Sequence, residues 1–295
     1  MNSMKMNRIS TTLFVLALIA IVAFAGCRQN VTPPENMPDT SADIPFEFSL
    51  KADSCYFVIT DIYKMGLENK YSVQWPAEGM LAPEAERELL VALFGDSTAT
   101  SFDEAASRWV KTNGYVESFG IEQGDMEVRG CQVDSKPDVP DELLCYDYVN
   151  CKIEENGNLL EFYIFSENYM GGAHGVHYFQ SLVYDRDAAR MIRLADLVDT
   201  TDFGEVVARA IEDLSANETV RECLFDEELL GDQFPVSTNF YIDSTRSTIT
   251  LIYQIYEITP YACGTQEVVM PIFWLSKHRE LTPYAKDIFG EGCSL

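Results

Sequence analysis

Apolar positions along this chain change period several times, and each change marks an element. Residues 55–60 and 71–75 alternate with the two-residue period of strands. Over 83–94 the period lengthens, and Leu89, Leu90, Leu93 and Phe94 fall on one stripe. A helix is predicted there. Pro83 stands in its first turn, where a missing N–H is harmless, and Glu84 and Glu86 face the positive end of the helix dipole. A second helix starts at Ser101. Glu104 completes a capping box, Ala105 and Trp109 share a face, and Gly114 is the stop. Beyond Gly114 the period returns to two. Residues 126–133 and 143–153 flank a turn-rich tip at 135–140 and read as a hairpin, and Asn156-Gly157 is a tight turn into 159–166. Residues 176–184 form another strand. Asp202 is placed to cap a helix with Val206, Ala210 and Leu214 inward, and a shorter helix follows over 217–230. Residues 239–242 and 247–256 make a hairpin, and 267–274 a last buried strand. Strands grouped with a few helices, without strict alternation, predict an α+β fold: mixed or antiparallel sheets with a few packed helices.

The first 43 residues follow neither period. Lys5 and Arg8 precede an apolar run over 11–24, closed by Phe24-Ala25-Gly26-Cys27. That order is a secretory signal peptide. The small residues before the cysteine resemble the bacterial lipobox, which implies acylation of Cys27 as the first mature residue. The apolar run is too short for an uncleaved anchor, which needs roughly 20 residues. Residues 28–43 are polar, contain Pro33, Pro34 and Pro38, and read as a tether. The expected organisation is therefore a signal at 1–26, a tether at 27–43 and folded sequence from 44. The expected location is the bacterial cell envelope, outside the cytoplasm, with the membrane held through N-terminal acyl chains.

The formal net charge is −26, and losing Lys5 and Arg8 with the leader takes it to −28. Such a charge repels phosphate backbones and excludes nucleic-acid binding. It serves solubility, and it attracts basic proteins. Twelve acidic and two basic residues fall within 196–232, where Glu218, Glu222 and Asp226 are spaced to share a helix face. Seven cysteines follow Cys27: Cys55, Cys131, Cys145, Cys151, Cys223, Cys263 and Cys293. An exported chain permits disulfides, and no C-x-x-C or zinc-finger spacing is present. Cys131 and Cys145 are equidistant from Asp138, so a symmetric hairpin makes them cross-strand neighbours and a disulfide candidate.

Three segments carry a family resemblance. They are Tyr169-Met170-Gly171-Gly172-Ala173-His174-Gly175, then Ile192-Arg193-Leu194-Ala195-Asp196-Leu197, then Asn239-Phe240-Tyr241 followed by Tyr256-Glu257-Ile258-Thr259-Pro260-Tyr261-Ala262-Cys263-Gly264 and residues 267–271. In order and spacing they resemble the RsiV-like domain of unknown function. That domain forms the extracellular part of a lysozyme-sensing anti-sigma factor, and it occurs in envelope lipoproteins and beside deacetylase domains, as in PdaC-like proteins. Residues 44–168 look like its PdaC-like companion domain and 169–295 like the RsiV-like domain itself. The resemblance implies a binding or sensing module for an envelope ligand, including a basic lysozyme-like protein. The alternative is an accessory enzyme or carbohydrate-binding module acting on cell-wall glycan. The turn from Asp185 to Arg190 lacks the family's glycine, and Cys263 stands where alanine is usual. With everything after the signal exported, the anti-sigma role does not carry over.

The candidate chemistry is sparse. His174 and His177 are three apart, but the third histidine, His278, is remote in sequence, so no three-ligand metal set is expected. Tyr256, Glu257, Tyr261 and His174 are the candidate ligand-binding residues. Glu257 reads either as a general acid or base or as a carboxylate accepting N–H bonds in a turn. No G-x-S-x-G elbow exists. A Cys263–His174 dyad competes with a structural role for Cys263. Asp185 with Asp187, and Asp199 with Asp202, lack the EF-hand pattern. No catalytic constellation and no cofactor are expected.

Overall fold

The computed structural model describes residues 45–59, 65–111, 126–129, 144–226, 230, 234–243 and 245–290. The signal, the tether, Cys27, Cys131, Cys293 and the tip at 135–140 lie outside the described residues. Among the described residues ten strands form two sheets. The larger has the order β3-β1-β2-β4-β5-β6-β7, with β1 Phe48–Ile59, β2 Met65–Pro76, β3 Met126–Arg129, β4 Leu144–Asn156, β5 Leu159–Tyr169, β6 Val176–Asp185 and β7 Arg190–Ile192. The smaller has the order β10-β9-β8, with β8 Phe240–Ile242, β9 Thr248–Tyr253 and β10 Gln266–Pro271. Every neighbouring pair is antiparallel except β2 with β4. The fold is α+β.

Two hydrophobic cores lie on opposite faces of the large sheet, and strand alternation separates them. On β5, Leu160, Phe162 and Ile164 enter one core while Leu159 enters the other; on β6, Tyr184 and Val183 divide in the same way. The first core is closed by α1 (Pro83–Phe94) and α2 (Phe102–Lys111). Helix α1 has the expected bounds, with Pro83 in its first turn, and ends on Gly95 at φ 68°. Ser101 Oγ accepts the Glu104 N–H at 3.3 Å, while the Glu104 carboxylate reaches back to the Thr100 N–H at 2.9 Å, one residue earlier than a standard capping box. Trp75 and Phe102 of this core meet at 4.7 Å between ring centroids.

The second core packs under the small sheet with α3 (Leu194–Leu197), α4 (Phe203–Asp213), α5 (Glu218–Cys223), α6 (Ile272–His278) and α7 (Pro283–Phe289). Asp202 does not cap α4. It adopts φ 49°, and its side chain makes no cap bond. Helix α5 stops at Cys223, well before residue 230, because the Phe225 N–H turns to the Ile258 carbonyl at 2.9 Å. The last strand also ends early: 272–274, expected in it, begin α6.

The hairpin expected between 126–133 and 143–153 is not formed. β3 pairs with β1 and β4 with β2, so β3 and β4 stand three strand spacings apart, on the order of 14 Å. The alternation fixed which side chains share a face, but not which strands are neighbours. The Cys131–Cys145 pairing loses its premise, and Cys145 is a buried free thiol. The boundary expected between 168 and 169 falls near the end of β5, which pairs with β6 beyond it, so the described residues on both sides of it share one sheet.

Side-chain amides complete the strand edges that lack a neighbour. Asn239 Oδ1 accepts the Ser181 N–H at 2.8 Å, and its Nδ2 donates to the Phe179 carbonyl at 2.7 Å. Gln254 brackets Phe179 likewise, at 2.9 and 2.6 Å. Asn217, fully buried, does the same for Val269 on the edge strand β10, at 2.8 and 3.1 Å. Each replaces a backbone partner that a buried polar group cannot do without.

Candidate functional site

The second layer covers one end of the large sheet and leaves the other end open. The open part of β5 and β6 presents Phe165, His177 and Phe179. These face Glu267 and Val269 on β10, with Thr219 of α5 on the wall, across a groove of about 570 Å³. Tyr163 meets Phe179 at 6.1 Å and Tyr241 at 6.1 Å, extending the aromatic floor onto the small sheet. The Tyr241 hydroxyl donates to Glu267 Oε2 at 3.2 Å. Burial, and then the Glu267 carboxylate beside it, push the Tyr241 phenol up to about 12.

The glycine-rich segment 171–175 and the turn 256–264 meet at one end of the groove. Gly171 and Gly172 hold φ 91° and 102°, which side-chain-bearing residues rarely adopt. The loop is tied by the Tyr169 hydroxyl donating to the Gly172 carbonyl at 3.1 Å and by His174 Nδ1 donating to the Gly175 carbonyl at 3.0 Å. The Tyr261 hydroxyl donates to that same carbonyl at 3.0 Å, and its ring stacks on His174 at 3.8 Å. Tyr256, 58% exposed, stands 5.8 Å from Tyr261. Three of the four candidate ligand-binding residues are thus brought together. The fourth, Glu257, is turned back on its own turn, where Oε2 accepts the Gln254 N–H at 2.6 Å.

Cys263 is disulfide-bonded to Cys223, with the Cα atoms 6.3 Å apart. No thiol is left for a dyad with His174. The bond joins α5 to the turn that carries Tyr261, and Cys263 lines the groove. Sequence reasoning missed it because its partner lies 40 residues away on another element. Phe165, Phe179 and Glu267 were missed as well: on a strand their alternation reads as ordinary structure.

The acidic pairs have local work. Buried Asp185 accepts from the Asn158 amide, two backbone N–H groups and the Tyr284 hydroxyl. Asp199 accepts the Thr201 N–H at 2.9 Å. His278 stacks on Trp274 in α6 at 3.9 Å, away from His174 and His177 in sequence and in element. Among the described residues no cluster of three or more potential ligands could hold a metal. Glu218 and Glu222 are exposed on α5 beside the groove; Asp226 is exposed beyond the helix end. Burial pushes the Glu161 carboxyl up to about 7 and the Asp147 carboxyl up to about 6. Neither lines the groove. Asp147 shares the opposite face of the sheet with Cys145 and Val149.

Solved structures with this architecture exist. A member of the DUF3298 family from Bacteroides fragilis NCTC 9343 matches with a TM-score of 0.59 at 21% identity, covering 85% of this chain and 98% of that one. A DUF3298 family protein from Pseudomonas aeruginosa PAO1 matches at 0.52 and 16%, covering 83% and 98%. In sequence, residues 196–272 match the DUF3298 family model, described as a protein of unknown function. The matched segment spans α4, α5 and the small sheet. No curated protein matches the chain.

Proposed function

We propose that the chain is an RsiV-like lipoprotein of the bacterial envelope, held to a membrane by acyl chains on Cys27, whose groove binds a basic protein of lysozyme type. The observation that carries this reading is the make-up of the groove: an aromatic floor of Phe165 and Phe179, continued by Tyr163, with Glu267 on its wall and the exposed Glu218 and Glu222 of α5 beside it. A desolvated aromatic centre supplies affinity, and the surrounding charge selects a basic partner. Binding is favoured over catalysis because the two carboxyls that burial drives upward, Glu161 and Asp147, line none of the groove. Calorimetry of the full chain with lysozyme, at low and at high salt, tests it. The expected result is one-to-one binding that survives high salt and weakens on Tyr261→Ala. The absence of binding at low salt would reject the partner. Anchoring is tested separately: Cys27→Ala is expected to leave the membrane fraction and to lose incorporation of a labelled fatty acid.

A second reading rests on the exposed face of Tyr256 beside the His174–Tyr261 stack, a platform on which a sugar ring of cell-wall glycan would lie. Binding of a soluble glycan fragment by a chain that ignores lysozyme would favour it.

A further inference from the structure

We propose that the groove is a seat for one arginine side chain of the protein partner, with Glu267 as the carboxylate that receives it. The inference rests on the reading above and names the chemistry of the same site. Glu267 projects from β10 into the groove, opposite Phe165, Phe179 and His177. Its Oε2 accepts the Tyr241 hydroxyl, which orients the carboxylate and leaves Oε1 for another donor. Among the described residues no lysine or arginine forms an ion pair with Glu267, although such pairs occur elsewhere, as at Arg190–Asp196 and Arg209–Asp213. The Thr265 hydroxyl, two residues earlier, lines the groove and has no hydrogen-bond partner among the described residues.

The floor selects the kind of cation. Phe165 and His177 are stacked at 6.1 Å, and Phe179 continues the aromatic surface toward Tyr163. A planar guanidinium can lie flat on a ring and still point a fork of donors at a carboxylate on the adjoining wall. An ammonium is a compact, strongly hydrated point charge and does only one of these well. Glu218 and Glu222 on α5 add long-range attraction without occupying the seat.

The test uses the full chain in detergent, with N-acetyl-Gly-Arg-Gly-amide as the probe and the citrulline analogue as its uncharged isostere. Amide chemical shifts are followed by NMR. The arginine peptide is expected to shift the amides of Phe165, Phe179 and Glu267, and the citrulline peptide to leave them in place. Glu267→Gln, at an exposed position, is expected to weaken the arginine peptide roughly tenfold, the loss of one charge-assisted contact. Shifts elsewhere, equal shifts with citrulline, or unchanged affinity in Glu267→Gln would overturn the seat. Lysozyme is titrated in parallel. Binding to wild type and Glu267→Gln alike would overturn the seat and leave the partner reading intact. If lysozyme is silent while the arginine peptide binds at Glu267, the partner reading fails and the seat stands.

Discussion

Two residues show how a single position sets a requirement on the whole molecule. Gly204, in the first turn of α4, lies against the backbone carbonyl of Phe234, so an added Cβ would collide with backbone and not with a side chain able to swing away. Gly204→Ala is expected to cost about 1–3 kcal/mol through the shift it forces, read as a lower urea midpoint with the slope unchanged. Gly157 is a contrast. It also lacks room for a Cβ, but its neighbour there is the tip of Arg246, at 2.6 Å. Its φ of 64° is what holds the glycine in place. Glu161 sets a requirement on pH. Burial raises its carboxyl from 4.5 to about 7, against partial relief from the Tyr163 hydroxyl. The native state therefore holds a proton that the unfolded chain gives up above about pH 4.5. The stability linked to that proton is complete below pH 4.5 and is lost as pH rises through 7. Its size is on the order of 3 kcal/mol. Glu161→Gln should remove that part of the slope, so the midpoint difference between variant and wild type should grow from pH 5 to pH 8. A difference independent of pH would show that Glu161 is not the group. At this scale the sequence disclosed Tyr261, His174 and the two glycines, because a Gly-Gly turn and a Thr-Pro-Tyr turn are unusual local patterns. It concealed Glu161 and Glu267, because a glutamate at an alternating strand position looks solvated until the layer above it is known.

Among the elements, what could be read in advance was whatever local chemistry determines. Helix α1 has its expected limits because a proline and a glycine fix them, and the hairpin from β8 to β9 forms around Asp243, whose carboxylate accepts the Ser247 and Thr248 N–H groups at 2.7 and 2.5 Å. Strand order was not legible. The β1–β2 pair has two free edges, and the alternation within a strand does not say which edge β3 or β4 takes. The amide clamps were hidden for a related reason: Asn217, Asn239 and Gln254 are 52 to 75 residues from the backbone groups they pair. Asn239 is the one to test, because it joins the small sheet to β6. Asn239→Leu keeps the branched outline of the side chain and strands the Ser181 N–H. A loss of about 1–3 kcal/mol is expected, together with faster hydrogen exchange at Ser181 and little change in the first core, whose residues the clamp does not touch. Uniform acceleration of exchange across both cores would mean that the clamp governs global unfolding and not the joint between the layers.

For the whole molecule the decisive quantity is charge, and charge and shape make separable predictions. With a formal net charge of −26, the chain repels its own like-charged surroundings and draws in basic proteins whatever their fold. Among the described residues no helix is long and apolar enough to cross a membrane, so attachment through Cys27 is the proposal on which a membrane location rests. The groove is local; the field is not. Steering by the field acts on the encounter, so the association rate with lysozyme should fall severalfold between low and physiological salt, as the Debye length shrinks from about 30 to 8 Å. Contacts inside the groove act on the complex once it has formed. Tyr261→Ala, which removes the ring on His174 and the bond to Gly175, should therefore raise the dissociation rate and leave the salt dependence of association unchanged. Charge-neutralising substitutions at Glu218 and Glu222, exposed on α5, should do the reverse. Stopped-flow measurements on wild type and both variants at several salt concentrations distinguish the two. If Tyr261→Ala changes neither rate while the salt dependence remains, the partner is held by charge alone and the groove is not its site.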